Sequence, residues 1–305
     1  MSSPLHALSV REYIFPGILI PDTSAGKAFW RTLAKAFRCM KGLVKLRFKS
    51  ASYRSMADTL LRDCTFQNLK VLTWLTTDDG GLCSFLKRHR GLIAIQLVSP
   101  WLSSTLYNKL ELGTNEDVLP SLESICTEPT ALEVISHGRT IQRLRVIRPE
   151  IIPSKNRLDD LSNVRWMWFD LDAGDVTDMV FEETRGYFRK LEVLRLRIPR
   201  KCSNAYLTDI IRSFPNLRRL MFWEEEATLN VAHKRAHLLL WTGHQHLQAV
   251  DIAIGHSDEQ NTFHRFCVSP REPPASSQMP GGLILDDVVH EGKYGVKEDW
   301  LELCD

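Results

Sequence analysis

Arginines alternate with leucines in several short stretches of this chain. In "FRKLEVLRLRIP", residues 188–199, Arg195 and Arg197 alternate with Leu194 and Leu196. Successive side chains of a β-strand point to opposite faces, so this alternation predicts a strand with one apolar face and one basic face. Guanidinium groups form paired hydrogen bonds to carboxylates and phosphates. The pattern therefore predicts a strand face that binds anions.

The same alternation recurs along the chain, and Lys or Arg dominates the outward positions. The basic residues expected at these positions are Arg11, Lys45, Arg47, Lys49, Arg143, Arg145, Arg165, Arg195, Arg197 and Arg219. The acidic residues expected there are only Glu128 and Asp251. The whole chain has 39 Lys and Arg against 37 Asp and Glu, so no global excess of charge indicates nucleic acid or an anionic membrane. Basic side chains are instead predicted to concentrate on the outward face of the strands, and acidic side chains elsewhere.

Three of these arginines are expected to form a row across neighbouring strands. Arg145, Arg165 and Arg195 take the same place in consecutive strands, which lie about 4.8 Å apart. Such a row repels itself unless an anion lies across it, or unless acids from turns or helices neutralise it. Trp223, outward beside Arg219 and Arg195, would supply an aromatic anchor. The residues predicted to bind a partner are Lys45, Arg47, Arg143, Arg145, Arg165, Arg195, Arg197, Arg219 and Trp223.

Histidines late in the chain raise the question of a metal site. His233 and His237 are one helical turn apart, a spacing that can hold zinc. The stretch "HKRAH" lacks the Glu of H-E-x-x-H, and no cysteine pair accompanies it. Lys234 and Arg235 would also repel a cation. We therefore expect structural histidines and no bound metal.

The sequence also lacks the catalytic and nucleotide-binding motifs that would indicate an enzyme. Gly26-Lys27 lacks the earlier glycine and the following Ser or Thr of a phosphate-binding loop, and neither G-x-S-x-G nor G-x-G-x-x-G occurs. Carboxylates such as Asp78 and Asp79 fall in predicted turns. No catalytic residue and no cofactor are predicted, which favours a non-enzymatic function.

The composition is typical of soluble proteins, with 44% hydrophobic and 25% charged residues among 305. No apolar run approaches the roughly 18 residues of a membrane span, and no secretory signal is visible. The seven cysteines are scattered and never form a C-x-x-C pair, which is typical of reduced thiols. We expect a cytoplasmic or nuclear protein without a membrane segment.

The strands that carry the arginines belong to a recurring frame, L-x-x-L-x-L, with L relaxed to any apolar residue. About ten such frames are found. They start at Leu5, Leu43, Leu69, Leu92, Leu122, Ile141, Leu161, Leu191, Leu217 and Leu247. Helical periodicity marks segments between them at 25–37, 55–66, 175–188 and 203–214. Ser203 or Asn204 is the expected N-cap of the last, and the first is expected to bury Phe29, Leu33 and Phe37.

Strand, turn and helix, repeated about every 25 residues, predict an α/β fold in which helices cover a parallel sheet. Units this short cannot bury a core alone and must stack on their neighbours. We therefore expect a curved solenoid over residues 1–254, with strands on the concave side and helices on the convex side. Residues 255–305 are expected to be a loop-rich tail or cap, in which "GLILDDVV" forms one last strand.

The frames, the variable helical segments and the aromatic substitutions Trp74, Trp166 and Phe222 resemble leucine-rich repeats. The irregular repeats of fungal F-box proteins are the most similar kind, and the resemblance covers Leu5 to Ile254. It implies a protein that recognises substrates for a ubiquitin ligase. Given the basic face, the partner would be a protein with an acidic or phosphorylated segment.

The chain departs from that family in one respect. The F-box, a helical motif that begins L-P-x-E-[IL], is not found in this sequence. The stretch "LPSLESI" at Leu119 shares two letters with it but lies within a repeat strand. Because the first frame begins at Leu5 without a capping unit, we expect a longer protein or a partner at that end. Contact with the ligase scaffold is expected only if an F-box lies upstream. The alternatives are a stand-alone repeat scaffold and an RNA-binding repeat protein, the latter less favoured by the balanced charge.

Overall fold

Two compact units of α/β architecture make up the chain, Met1–Ile141 and Gln142–Leu303. The structure is a computed structural model. It describes residues 9–15, 23–48, 61, 64–74, 80–97, 117–127, 136, 138–147, 161–170, 187–197, 203–224, 228–241, 243–254, 262–268 and 283–290. Among the helices within these ranges, none is both long enough and apolar enough to cross a bilayer.

The first unit is a parallel sheet with the strand order β1-β2-β3-β4-β5. Its strands are β1 (Glu12–Phe15), β2 (Lys45–Phe48), β3 (Val71–Trp74), β4 (Ala94–Leu97) and β5 (Ser124–Thr127). Its helices are α1 (Ser24–Cys39) and α2 (Gly80–Arg88). Parallel strands need a crossover between them, which agrees with the predicted alternation of strand and helix.

Helix α1 packs on the sheet through Trp30 rather than through Phe29. Phe29 was expected on the buried side with Leu33 and Phe37, but it is 42% exposed. Trp30 is buried instead, and its ring centroid lies 5.9 Å from that of Phe48 in β2. A one-residue step turns a helix by about 100°, and Trp30 stands three and seven residues before the two other buried side chains.

The second unit begins as a parallel sheet and ends as an antiparallel one. Its strands are β6 (Arg143–Ile147), β7 (Trp166–Asp170), β8 (Val193–Arg197), β9 (Arg219–Glu224), β10 (Ala249–Ile254), β11 (Thr262–Val268) and β12 (Leu283–His290). Neighbouring pairs from β6 to β10 are parallel, whereas β11 runs antiparallel to both β10 and β12. The strand expected in "GLILDDVV" is confirmed by β12. The loop expected around β11 is wrong, because that segment pairs with strands on both sides.

The described part of the second unit contains two helices, α3 (Asn204–Ser213) and α4 (Leu229–Leu240). The prediction for α3 is confirmed. Its N-cap is Ser203, whose Oγ accepts a hydrogen bond from the Tyr206 N–H at 3.1 Å. Leu207, Ile210 and Ile211 form its buried side. The predicted helices at 55–66 and 175–188 fall mostly outside the described residues.

The same backbone hydrogen bonds recur before most parallel strands. In the first unit, the amides of Lys70 and Val71 both donate to the carbonyl of Val44. An equivalent pair of bonds precedes β2, β4 and β5, and in the second unit it precedes β7, β8, β9 and β10. A single carbonyl, which has two lone pairs, accepts both bonds. It thus connects the start of a strand to the start of the strand before it.

The first strand begins later than its frame predicted. The frame at Leu5 placed apolar strand positions before residue 11, but β1 starts at Glu12, and Leu5 itself lies outside the described residues. Tyr13 and Phe15 pair in register with Leu46 and Phe48. The rings of Phe15 and Phe48 stack at 4.7 Å. Aromatic side chains therefore occupy the two places that the frame assigned to leucines.

The sheet of the second unit has two different faces. Leu144, Leu194 and Val250 lie on the side of α4, where His233 contacts Phe266 at a ring distance of 5.8 Å. Their sequence neighbours point to the opposite side, which we name the arginine face. Its described residues include Arg143, Arg145, Trp166, Trp168, Val193, Arg195, Arg219, Met221, Trp223, Asp251, Phe263 and Arg265.

Candidate anion-binding site

The strand register brings Arg145 and Arg195 to the two sides of one tryptophan. Arg145 of β6 pairs with Trp168 of β7, and Trp168 pairs with Arg195 of β8. Arg165 stands one residue before β7 and therefore outside this row. The predicted row of Arg145, Arg165 and Arg195 is wrong in its middle member.

The error comes from a frame placed three residues early. Val164, not Leu161, takes the first place of the frame, because the amide of Val164 donates to the Leu161 carbonyl. The amide of Leu191 donates to the Phe188 carbonyl in the same way before β8. Leu161 is therefore a turn residue equivalent to Phe188. Each strand position predicted after it shifts by three residues toward the C-terminus.

Arg165 occupies the exposed turn before β7. Its Nη1 lies 3.8 Å from Oε1 of Glu192, and more than half of its side chain is open to solvent. Such an exposed ion pair contributes little to stability. Arg165 is thus separated from Arg145 and Arg195, because it lies in a turn and they lie within strands.

A stack of alternating cations and indole rings forms the centre of the arginine face. The Cζ of Arg145 lies 3.7 Å from the centroid of Trp168, and the Cζ of Arg195 lies 3.8 Å from the same ring. Arg195 also lies 4.5 Å from the centroid of Trp223. The two indoles are nearly parallel, 22° apart with centroids 6.4 Å from each other, and both contact the Arg195 guanidinium.

Stacking explains why these arginines are buried rather than exposed as the alternation suggested. Arg145 is 7% and Arg195 is 6% exposed. A guanidinium is planar and weakly hydrated, so an aromatic ring can cover its face while its N–H groups point outward within its own plane. Each such contact stabilises the folded state by about 0.5 to 2 kcal/mol, and the larger value applies where water is excluded.

Trp168 contributes a buried donor to the same stack. Its side chain is 5% exposed, and Nε1 has no hydrogen-bond acceptor among the residues that the structure describes. An unsatisfied buried N–H costs about 1 to 3 kcal/mol. The indole N–H is therefore a buried donor whose cost the contacts of the Trp168 ring with Arg145 and Arg195 must offset.

Apolar side chains surround the stack. Val193, Met221 and Phe263 are buried on the same face, and the half-buried Trp166 and Trp223 pack against them. The edge of Trp223 meets the Phe263 ring at a centroid distance of 5.3 Å. The face is therefore aromatic as well as basic, and Trp223 lies beside Arg195 as the sequence predicted.

A buried carboxylate neutralises the other end of the arginine face. Asp251 is fully buried, and its Oδ2 accepts a hydrogen bond from Nε of Arg219 at 2.6 Å. Arg265 donates from Nε to Oδ1 at 2.9 Å and from Nη2 to Oδ2 at 3.1 Å. Arg219 thus has a counter-ion on a neighbouring strand, so the neutralisation that the sequence left open does occur here.

The predicted residues of the first unit form a separate set. Lys45 is half-buried at the start of β2, and Arg47 is buried with its Nε 3.2 Å from Oε1 of Glu12. Arg11 precedes β1 and donates from Nη1 to the Gly42 carbonyl at 3.3 Å. This unit therefore presents no row of exposed arginines among its described residues.

The remaining predicted residues are only partly described. Arg143 is half-buried at the start of β6. Arg197 ends β8 with its backbone paired to Asp170, and its side chain lies outside the described residues. Lys49 and Glu128 lie outside them as well. Sequence reasoning missed Trp168 and Arg265, although "WMWF" at 166–169 gave a signal for the former.

The histidines of α4 contact aromatic rings rather than each other. The ring of His237 lies 5.7 Å from that of Trp241, and His233 packs against Phe266. Within the described ranges, no three His, Cys, Asp or Glu side chains come together in a way that could hold a metal ion.

Comparison with known proteins does not assign this fold or this site. No family model matches the chain. No curated protein matches it either. The chemistry of the arginine face must therefore be judged from its own geometry.

Proposed function

We propose that the chain is a leucine-rich-repeat solenoid. The pair of amide bonds that recurs before most parallel strands supports this, because stacked repeats contact only their neighbours. Side chains add equivalent contacts: Nδ2 of Asn68 donates to the Lys41 carbonyl, and Nδ2 of Asn216 donates to the Arg189 carbonyl. In both cases the acceptor stands 27 residues earlier, which is the spacing of one repeat.

The proposed function is non-catalytic binding of a protein segment that is acidic or phosphorylated. The observation that carries this proposal is the stack of Arg145, Trp168 and Arg195. Contact with the Trp168 ring restrains both guanidinium groups before a carboxylate or phosphate arrives. Less conformational entropy is then lost on binding, which strengthens affinity without additional contacts.

The distribution of charge favours a protein segment over nucleic acid. Asp251 neutralises Arg219 and Arg265, so the arginines of this face do not form a continuous basic stripe. Nucleic-acid binding depends on many basic contacts to successive phosphates. The half-buried Trp166 and Trp223 would instead anchor apolar side chains of a peptide.

A role in substrate recognition for a ubiquitin ligase is the biological context that the F-box resemblance suggests. In this proposal the chain selects the substrate, and an F-box elsewhere in the full protein contacts the ligase. The sequence of the complete natural transcript tests this, together with co-purification of the tagged protein with the adaptor that binds F-boxes. A transcript without an F-box and no recovery of the adaptor would leave a stand-alone repeat scaffold.

The binding proposal is tested with a complex mixture of peptides. The immobilised chain is exposed to a proteome digest at about 150 mM salt, before and after phosphatase treatment. We expect enrichment of acidic or phosphorylated peptides, and loss of most of it in Arg195→Gln, which removes the stacked cation. The matched control is Arg212→Gln, which changes an exposed arginine of α3.

Two outcomes would contradict this function. Equal enrichment by the wild type and Arg195→Gln, with equal circular dichroism spectra, would exclude the arginine face as the binding surface. Tight binding of unrelated RNA oligonucleotides, with affinity that falls steeply as salt rises, would favour the RNA alternative instead.

A further inference from the structure

We propose that the outer face of α4 binds the segment of this chain that follows β12. The outer face consists of the exposed residues Val231, Lys234, Leu238 and Trp241, the last being the C-cap of the helix. We name residues 291–305 the β12 extension. Helix α4 lies on the side of the sheet opposite to the arginine face, so the proposal is independent of the anion-binding site.

Helix α4 has apolar side chains on two sides. Its buried side faces the sheet and consists of Ala232, Ala236, Leu239 and Leu240. On the outer face, Val231 is 47%, Leu238 is 54% and Trp241 is 38% exposed. Among the residues that the structure describes, six large apolar side chains are exposed, and four of them belong to α4 or its C-cap. Single exposed apolar residues are ordinary, but several on one helix mark an interaction surface.

The spacing of the outer face suits one partner helix rather than a membrane. Its four residues follow one another at steps of three, four and three, which is the spacing of the a and d positions where two helices pack together. Because each residue turns the helix by about 100°, Arg235 lies on one flank of this line and His237 on the other. A helix that lies in a membrane surface needs a broader apolar face.

The charge of α4 favours an acidic partner. The helix contains Lys234 and Arg235 and no acidic residue. Lys234 is exposed on the outer face, and no described residue forms an ion pair with it. If two copies of α4 packed through this face, their lysines and arginines would lie close together and repel each other. A second copy of the helix is therefore disfavoured, and a helix with acidic residues is favoured.

The β12 extension carries the complementary pattern. In "VKEDWLEL", residues 296–303, Val296, Asp299 and Leu303 follow one another at steps of three and four. The first three residues of the outer face have the same steps, with Lys234 in the place that Asp299 takes here. Two glutamates add to the negative charge of the extension. The periodicity is that of a short amphipathic helix with an acid among its apolar residues.

The strand register brings the start of the extension to the start of α4. Strands β9 and β10 are parallel, and Ile254 at the end of β10 pairs with Glu224 at the end of β9, after which α4 follows. Strand β12 ends at the same edge of the sheet, since its last residue, His290, pairs with Thr262 at the start of the antiparallel β11. Residues 291–295 reach up to about 18 Å when extended. A helix formed after them can therefore run parallel to α4.

Parallel packing aligns the two patterns. In a parallel pair of helices, equivalent a and d positions face each other. The contacts formed are Val231 with Val296, Lys234 with Asp299, and Leu238 with Leu303. A slip by one turn would place Lys234 against an apolar side chain, so the ion pair sets the register. The apolar contacts contribute more to stability than this exposed ion pair does.

Zero-length cross-linking of the full chain tests the contact. A carbodiimide joins a lysine amine to a carboxylate only when the two groups touch, and mass spectrometry of a protease digest identifies the joined pair. We expect a link between Lys234 and Asp299 in the monomer, with a yield that does not change on dilution. Lys190 is the matched control, because it is an exposed lysine in the turn before β8, at the opposite edge of the sheet. It should form no link to the extension.

Hydrogen exchange of the full chain tests which side chains hold the extension. We expect the amides of residues 297–303 to exchange several-fold more slowly than in a synthetic peptide of residues 291–305. Leu238→Ala and Lys234→Glu should each remove most of this difference. Combining Lys234→Glu with Asp299→Lys should restore it, because the ion pair is formed again with its signs exchanged.

Leu229→Ala is the matched control for the exchange experiment. Leu229 is 46% exposed in the same helix, but it lies about 200° around the axis from Val231. Its substitution should leave the exchange of the extension unchanged. All the substituted residues of α4 are exposed, and circular dichroism confirms that each variant is folded.

Three outcomes would overturn the proposal. Exchange as fast as in the free peptide, with no link to Lys234, would leave the outer face to a different partner. A link found only in cross-linked dimers would assign the face to the extension of a second copy. Slow exchange that neither Leu238→Ala nor Lys234→Glu changes would mean that the extension binds elsewhere. None of these results affects the proposed binding function, which the enrichment of anionic peptides tests separately.

Discussion

Asp251 should be among the residues of the second unit whose substitution lowers stability most. It is fully buried on β10 and accepts hydrogen bonds from Arg219 on β9 and Arg265 on β11. The change Asp251→Asn keeps the shape of the side chain but removes its charge. The two partly buried guanidinium groups then lose their counter-ion and repel each other across one strand.

The expected loss is about 3 to 5 kcal/mol in the free energy of unfolding, the usual result of removing one partner from a buried ion pair. Urea unfolding followed by far-ultraviolet circular dichroism measures it. Asp209→Asn is the control, because Asp209 is an exposed helix residue whose ion pair with Arg212 spans 4.0 Å, and its change should be nearly neutral.

A double-mutant cycle makes the test specific to this cluster. If Asp251 stabilises Arg265, the variant with both Asp251→Asn and Arg265→Gln loses less than the two single losses added together, by on the order of 1 to 3 kcal/mol. A loss below about 1 kcal/mol for Asp251→Asn alone would refute the reasoning, since a neutral amide would then serve as well as the carboxylate.

Three further predictions concern stability elsewhere in the chain. Burial lowers the pKa of His89, whose Nε2 accepts from the Phe66 N–H at 2.9 Å, so the unfolded chain takes up this proton at a higher pH than the native chain. The contribution of neutral His89 to stability is therefore complete above about pH 6.5 and is lost as the pH falls below it. His89→Gln should flatten this part of the profile of urea midpoint against pH. An unchanged profile would contradict the assignment. Ser203→Ala should cost about 1 kcal/mol by removing the cap of α3, whereas Ser203→Gly should cost only a few tenths, as thermal unfolding can measure. Leu194→Ala should cost about 2 to 5 kcal/mol because the side chain is fully buried in β8, and a loss under 1 kcal/mol would mean that its packing is wrongly described.

Turns and strand entrances were predictable where leucine occupies the first two apolar places of the frame. The frames at Leu43, Leu69, Leu191 and Leu217 each begin with an amide that donates to the carbonyl three residues earlier. Local sequence suffices there because the turn and the apolar strand positions are set by neighbouring residues. The α/β architecture with a mainly parallel sheet follows from these elements.

The central residue of the site was not predictable from the frame alone. Met167 and Phe169 fill the apolar places of β7, and Leu161 in the preceding turn imitates the start of a frame. A slip of three residues exchanges the two faces of a strand, which placed Arg165 where Trp168 lies. Only pairing with β6 and β8 decides the register.

Strand β11 was missed for a different reason. Phe263 pairs with Ala253 on the arginine face, whereas Phe266 pairs with Val250 on the helix side. Because both faces are covered, its sequence lacks the simple alternation that identifies a half-exposed strand. Its partners β10 and β12 are its neighbours along the chain, but the pairing rather than the local pattern identifies it.

The antiparallel end of the second unit has a consequence for how this protein can change in evolution. Each parallel strand from β7 to β10 enters the sheet through two amides that share the preceding carbonyl, so a duplicated unit placed among them would find the same docking chemistry on both sides. The hairpin of β11 and β12 reverses the chain direction and offers no such entrance. Gain or loss of units should therefore be tolerated before β10 and not after it, and related chains should differ in length there first.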